Sequence, residues 1–146
     1  MDWKTVSIQR LKDYAMRKES IVLLEDQIAA LEEQFISLRS VPTDTDPVMG
    51  GNRNGREDAL VSNIVMREEL EENKRIAERE VALTEKGLAV LTKSERVILE
   101  RFFIAKAHNH VDLLCRELNI EKSEVYRRKN TALDKFTIAC YGVVRV

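Results

Sequence analysis

Apolar residues recur every three or four positions in the first forty residues and predict a long helix. The spacing from Ile21 onward is 3, 4, 3, 4 and 3, which makes a heptad seam. Further upstream Tyr14 fits the seam, whereas Arg17 does not and Leu11 is one residue out of phase. The seam residues are Ile21, Leu24, Ile28, Leu31, Phe35 and Leu38. With no Pro or Gly, the segment predicts helix from about Trp3 to Leu38.

A second apolar stripe predicts a second long helix, from Glu57 to about Leu91. Its residues are Leu60, Ile64, Leu70, Ala77, Val81, Leu88 and Leu91. Residues 40–56 contain both prolines and three of the five glycines, which predicts a flexible loop between the helices in preference to a phosphate-binding one. Helices of similar length joined by one loop favour an antiparallel hairpin. Because two helices bury little core, another copy of the chain is the expected partner.

The last third of the chain predicts a cluster of shorter helices. Thr92 followed by Glu95 makes a capping box, and a dense apolar face follows it. Asn119 suits the left-handed geometry that ends a helix. The predicted elements are a helix from Thr92 to about Ala107, a turn at 108–110, a helix from Val111 to Leu118, a tight turn at 119–121 and a helix from Lys122 to about Tyr141.

Composition agrees with an all-α fold, a long coiled-coil-like helical hairpin followed by a smaller helical domain. Of the 146 residues 44% are hydrophobic and 34% charged, with only five Gly and two Pro.

No signal peptide or membrane-spanning run is evident, and Cys115 and Cys140 resemble reduced thiols, so we expect a cytoplasmic protein without a membrane partner. No catalytic, cofactor or metal motif is present, and His108 with His110 lack further ligands. We therefore expect no enzyme and no cofactor.

Charge divides the chain into two predicted domains, an oligomerisation hairpin at 1–91 and a binding domain at 92–146. Residues 1–91 carry 13 basic and 18 acidic side chains, a balance of −5. Residues 92–146 carry 11 and 7, a balance of +4. A polyanion, if one is bound, is therefore expected at the C-terminal part.

A short helix, a tight turn and a basic helix form the helix-turn-helix pattern, in which the second helix enters the major groove of DNA. The alternative is a solvated charged face on an ordinary three-helix bundle. The residues expected to contact bases are Lys122, Ser123, Glu124 and Arg127. The residues expected to contact the DNA backbone are Lys93, Arg96, Tyr126, Arg128 and Lys129.

The C-terminal third resembles region 4 of bacterial sigma factors over about 45 residues. Sigma-like domains usually have Ser or Thr at the position of Glu121, and Glu is a poorer helix cap. The matching pieces are Leu91-Thr92 with Glu95-Arg96, Leu118-Asn119-Ile120, Val125-Tyr126-Arg127-Arg128 and Ala132-Leu133.

The whole chain resembles the ArpU/RinA-type phage regulators, through its helical N-terminal half, the loop SVPTDTDPVMGGN and the ending ALDKFTIACYG. This resemblance implies a sequence-specific DNA-binding regulator of late-gene transcription, working in the cytoplasm of a bacterial host. The expected partners are double-stranded DNA and a second copy bound through the N-terminal helices, with RNA polymerase as a further candidate. Two alternatives stay open, a small terminase-like packaging component and an adaptor that binds only RNA polymerase.

Overall fold

The computed structural model describes residues 1–40 and 52–145, and nearly all of them are helical. Within this part of the chain the only strand-like pairing is an isolated bridge between Asp2 and Arg145. The predicted all-α class is therefore confirmed. The elements are α1 (Trp3–Arg39), α2 (Asn52–Ala89), α3 (Lys93–Leu99), a π-helical turn (Glu100–Ile104), α4 (His110–Leu118) and α5 (Lys122–Tyr141).

Contacts within the chain group the described residues into two compact units. The first contains residues 1–18 and 79–145, and the second contains residues 19–78. Each unit therefore includes part of α1 and part of α2. The division into functional domains at residues 91 and 92 stays a prediction.

In the second unit, α1 and α2 pack against each other as the predicted antiparallel hairpin. The predicted seam of α1 is confirmed, because all six of its residues from Ile21 to Leu38 are buried or half-buried. The predicted stripe of α2 is wrong at Ile64, which is 37% exposed, whereas its neighbour Asn63 is 3% exposed. The buried and half-buried α2 positions of this unit include Leu60, Asn63, Arg67, Leu70, Lys74 and Ala77.

Polar residues occupy seam positions of α2 because each finds a specific partner on α1. The side-chain nitrogen of Asn63 donates to the carbonyl oxygen of Leu31 at 2.8 Å. The guanidinium of Arg67 lies over the Phe35 ring, 4.9 Å from its centroid. Long basic side chains bury their apolar stems in this way while their charged ends remain satisfied. A search for apolar residues alone therefore misses these positions.

The second helix begins at Asn52, five residues before the predicted start at Glu57. The predicted loop at 40–56 is therefore wrong for its last five residues, and residues 41–51 lie outside the described part of the chain. Arg56 provides the physical reason, because its guanidinium donates to the carbonyl oxygens of Leu38 at 2.7 Å and Arg39 at 3.0 Å. The last carbonyls of a helix have no partner within it, so Arg56 satisfies the end of α1 from the first turns of α2.

The first unit has a core to which both long helices and α5 contribute. Leu11, out of phase with the heptad seam, is fully buried in this core. Gly87 lets α5 approach α2 closely, since an added Cβ atom would lie 2.6 Å from the Cys140 Sγ atom. The buried members are Leu11, Leu88, Leu91, Leu99, Ala132, Leu133 and Phe136.

A second core holds α3, α4 and α5 together, around the buried residues Ile98, Phe102, Leu114 and Val125. The predicted capping box at the start of α3 is confirmed by reciprocal hydrogen bonds between Thr92 and Glu95. The helix predicted to continue to about Ala107 instead becomes a π-helical turn after Leu99, with the Ala105 N–H donating to the Glu100 carbonyl at 2.7 Å. This wider turn serves both cores: Phe102 is buried in the second, and Ile104 packs against the first.

The two ends of the chain meet in the first unit. The Trp3 ring stacks on the Tyr141 ring at a centroid distance of 4.9 Å, and the Trp3 N–H donates to the Val144 carbonyl. Arg10 joins three elements, since its guanidinium donates to the Tyr141 hydroxyl at 2.6 Å and pairs with the Glu80 carboxylate at 2.6 Å. These contacts hold the start of α1 against the end of α5.

Candidate nucleic-acid interface

The short helix, tight turn and long helix predicted from Val111 to Tyr141 are all present. α4 begins one residue earlier than expected, at His110, so this residue does not belong to the preceding turn. Asn119 adopts the predicted left-handed conformation, with φ 53° and ψ 50°. The turn residue Ile120 packs against the second core, which fixes the direction in which α5 leaves the turn.

The first turn of α5 is open to solvent on one side and closed on the other. Lys122 and Ser123 are exposed, whereas Val125 is fully buried in the second core. Glu121 occupies the cap position, and its side chain makes no capping hydrogen bond. Two of the predicted base-contacting side chains, Lys122 and Ser123, are therefore exposed at the start of the helix.

Glu124, Arg127 and Arg128, three of the predicted contact residues, are joined in one ion-pair group. One Glu124 carboxylate oxygen accepts from Arg127 Nε at 2.8 Å, and the other accepts from Arg127 Nη2 and from Arg128 Nε, the latter at 3.1 Å. Hydrogen bonds from Arg127 and then Arg128 lower the pKa of Glu124 to about 2. Glu124 is therefore ionised at neutral pH, and both of its oxygens are occupied.

Tyr126 and Lys129, both predicted to contact the DNA backbone, lie together against aromatic rings. The Lys129 ammonium is 5.1 Å from the centroid of Phe102 and 5.3 Å from that of Tyr126. The Tyr126 ring meets the Phe102 ring edge-on at 5.8 Å. Burial, together with the positive charge of Lys4, lowers the pKa of Lys129.

Lys93 and Arg96 are exposed on α3, which precedes the short helix, tight turn and long helix in the chain. Glu95, which lies between them in sequence, forms an ion pair with Lys135 at 3.0 Å. Lys135 is thirteen residues beyond Lys122, a distance of about 20 Å along a helix. This ion pair therefore joins α3 to the second half of α5 and not to its first turn.

Sequence reasoning missed a cleft of about 610 Å³ beside Tyr126 and Lys129. Lys12 contributes to it from α1, where the acidic composition of the N-terminal half gave no signal. The sequence predicts His110 as a turn residue that lacks the further ligands of a metal site, and Lys106 follows a π-helical turn that it does not predict. The lining residues are Lys12, Phe102, Phe103, Lys106, His110, Tyr126 and Lys129.

Residues 1–40 and 52–145 contain no cluster of three His, Cys, Asp or Glu side chains suited to a metal ion. No helix within these residues is both long enough and apolar enough to cross a membrane. Both cysteines are free thiols, and burial raises the pKa of Cys140.

The family described as "Protein of unknown function (DUF1492)" matches residues 37–137. The match runs from the end of α1 into α5 and covers more than half of the chain, so the chain belongs to this family. No curated protein and no solved structure matches the chain. The resemblance to sigma factor region 4 and to ArpU/RinA-type regulators stays a prediction.

Proposed function

We propose that this member of the DUF1492 family is a sequence-specific DNA-binding transcriptional regulator of phage or prophage type, acting on late-gene promoters. In this proposal α4 and α5 form a helix-turn-helix, and α5 enters the major groove. One observation carries it: the first turn of α5 exposes Lys122 and Ser123 while Val125 anchors the same turn in the core. Side chains at the start of a recognition helix are those that reach base edges. The late-promoter role rests on the family resemblance alone.

Arg127 is the main base-reading residue of the proposal. Its side chain is 68% exposed, and its guanidinium already forms a two-point contact with the Glu124 carboxylate. The same fork matches the O6 and N7 acceptors of guanine. On binding, Arg127 exchanges Glu124 for the base, while Arg128 remains on Glu124. Glu124 then positions Arg128 alone, and its own predicted contact with a base becomes secondary.

The remaining predicted contacts fall into two groups. Tyr126, Arg128 and Lys129 lie on α5 itself and serve phosphates beside the groove. Lys93 and Arg96 lie on α3, outside the recognition helix, and serve a separate phosphate. Contacts spread in this way fix the register of a helix on DNA without selecting a sequence.

A homodimer through the N-terminal helices completes the proposal. In the second unit, α1 and α2 leave Val22, Ile36, Val61 and Val65 exposed although their seams are already packed together. Exposed apolar surface of this kind favours self-association. A dimer holds two recognition helices for two half-sites and raises affinity through effective concentration.

The test is binding of the full chain to DNA from upstream of its own operon and to a scrambled duplex, at two salt concentrations, measured by fluorescence anisotropy. We expect tighter binding to the native duplex that persists at the higher salt. Arg127→Ala costs about 1–3 kcal/mol on the native duplex and little on the scrambled one. Lys129→Ala weakens both equally and reduces the salt dependence.

A control variant and a measurement of molar mass complete the test. Lys86→Ala removes an exposed lysine of α2 that is not among the predicted contact residues, so it leaves both affinities unchanged. Light scattering on the same sample gives the molar mass, expected at twice the 16.9 kDa of one chain. A ring of eight or more copies favours the packaging alternative. Absence of DNA binding even at low salt refutes the proposal and leaves an adaptor for RNA polymerase as its successor.

A further inference from the structure

The cleft beside α5 combines positive charge with aromatic walls, and all of its lining lies in the first unit. Three elements far apart in sequence form it: α1, the segment from the π-helical turn to the start of α4, and α5. Phe102, Phe103 and Tyr126 provide aromatic surface. Lys12, Lys106 and Lys129 provide three ammonium groups, and His110 adds an imidazole.

Among the residues that the structure describes, the positive charges in this cleft have no acidic partners. None of the lining residues is acidic. Within residues 1–40 and 52–145, no carboxylate forms an ion pair with any of the three lysines. Three other lysines of the first unit are paired: Lys4 with Asp134 at 3.2 Å, Lys18 with Glu85 at 3.8 Å, and Lys135 with Glu95 at 3.0 Å. A concave surface lined by one sign of charge concentrates ligands of the opposite sign.

The position of Lys129 shows that the charge is fixed in place. Its ammonium lies near the faces of both the Phe102 and the Tyr126 ring, which hold a cation by their π-electrons. Its lowered pKa reflects burial and the nearby positive charge of Lys4. A bound anion offsets both effects, and compact lysine ammonium groups suit a phosphate.

The neighbours of the cleft point to the source of that phosphate. Tyr126 and Lys129 belong both to the cleft and to the proposed recognition helix, one to two turns beyond Lys122. We propose that the cleft receives a phosphate of the DNA backbone, so that Lys12 and Lys106 extend the interface beyond the helix-turn-helix. This inference rests on the proposed function. A free mononucleotide offers the same phosphate chemistry and is the other source to be distinguished.

Lys12 and Lys106 are the residues to test, because both are exposed and neither was expected to contact DNA. The full-length variants Lys12→Ala and Lys106→Ala are compared with wild type on native and scrambled duplexes over a range of salt. Each substitution is expected to reduce the affinity for the native and the scrambled duplex by the same factor. The negative slope of log K against log salt becomes shallower by up to about 0.9, the value for one lost phosphate contact. Lys12→Arg keeps the charge and is expected to restore the wild-type slope.

Lys86→Ala is the matched control, an exposed lysine of the same unit that does not line the cleft. If wild type binds DNA but Lys12→Ala and Lys106→Ala keep the same slope as Lys86→Ala, the cleft inference fails and the proposed function stands. If wild type binds no DNA at low salt, both fail together.

Adenosine monophosphate, added at constant ionic strength, distinguishes the two phosphate sources. We expect it to leave the DNA affinity unchanged at micromolar concentration. If adenosine monophosphate displaced DNA from wild type but not from Lys12→Ala, the cleft would be assigned to a small nucleotide. That result would overturn the assignment to the DNA backbone.

Discussion

Replacing Gly87 with alanine tests the closest approach between two helices in the first unit. Gly87 is buried on α2, and a Cβ atom there would lie 2.6 Å from the Cys140 Sγ atom of α5. The same atom would lie 2.8 Å and 3.0 Å from two carbons of the Phe136 ring. Phe136 is fully buried, so its ring has little room to move. Gly87→Ala therefore forces either the ring or the helix to shift.

Two effects of opposite sign determine the stability of Gly87→Ala. Alanine in a helix interior is favoured over glycine by about 0.5–1 kcal/mol. One extra methyl group in a packed core costs about 1–3 kcal/mol. The steric term is the larger, and we expect a net loss of about 1–2 kcal/mol. For a chain of this size that loss lowers the melting temperature by about 2–8 °C.

The assay is thermal and urea denaturation followed by far-ultraviolet circular dichroism. Gly55→Ala is the matched control, because Gly55 also lies in α2 and an added Cβ atom there meets no atom of the described residues within 4 Å. We expect that variant to be as stable as wild type or more stable by up to about 1 kcal/mol. Removing the Sγ atom with Cys140→Ala is expected to recover part of the loss in the double variant, as a double-mutant cycle measures.

A Gly87→Ala protein as stable as Gly55→Ala would refute this reasoning. Helix propensity would then outweigh packing, and the distance between α2 and α5 would not depend on a missing side chain at position 87. Full additivity of Gly87→Ala and Cys140→Ala would likewise show that Sγ is not the atom that resists the new methyl group.

Two further predictions concern helix starts in the first unit. Glu121→Ser supplies the cap that Glu121 does not, so we expect a gain of about 0.5–1 kcal/mol in thermal denaturation, and an unchanged melting temperature would contradict it. For Glu95, burial raises the pKa but hydrogen bonds from Lys135 and Thr92 outweigh it, so the folded-state pKa lies below the ordinary value of a glutamate. The ionised Glu95 therefore stabilises the fold above its unfolded-state pKa, and this stabilisation is lost as pH falls through the folded-state pKa. We expect the difference in unfolding free energy between wild type and Glu95→Gln to narrow from pH 7 to pH 3. A difference that stays constant over this range would contradict the prediction.

The sequence determined the elements whose causes are local. The heptad seam predicted α1 to within one residue of its end at Arg39, and the predicted bounds of α5, Lys122 and Tyr141, are those observed. The capping box at Thr92 and the left-handed turn at Asn119 were likewise predicted. Each depends on interactions between residues at most four or five positions apart, which a reader of the sequence can inspect directly.

Only the tertiary structure decided the features that need partners distant in sequence. The start of α2 depends on Arg56 reaching the carbonyl oxygens of Leu38 and Arg39 at the end of α1. The π-helical turn depends on two cores on either side of it. The cleft depends on Lys12 and Lys129, which are more than a hundred residues apart. Local patterns specify helices, but packing between helices decides which side chains meet, and the candidate phosphate site exists only at that level.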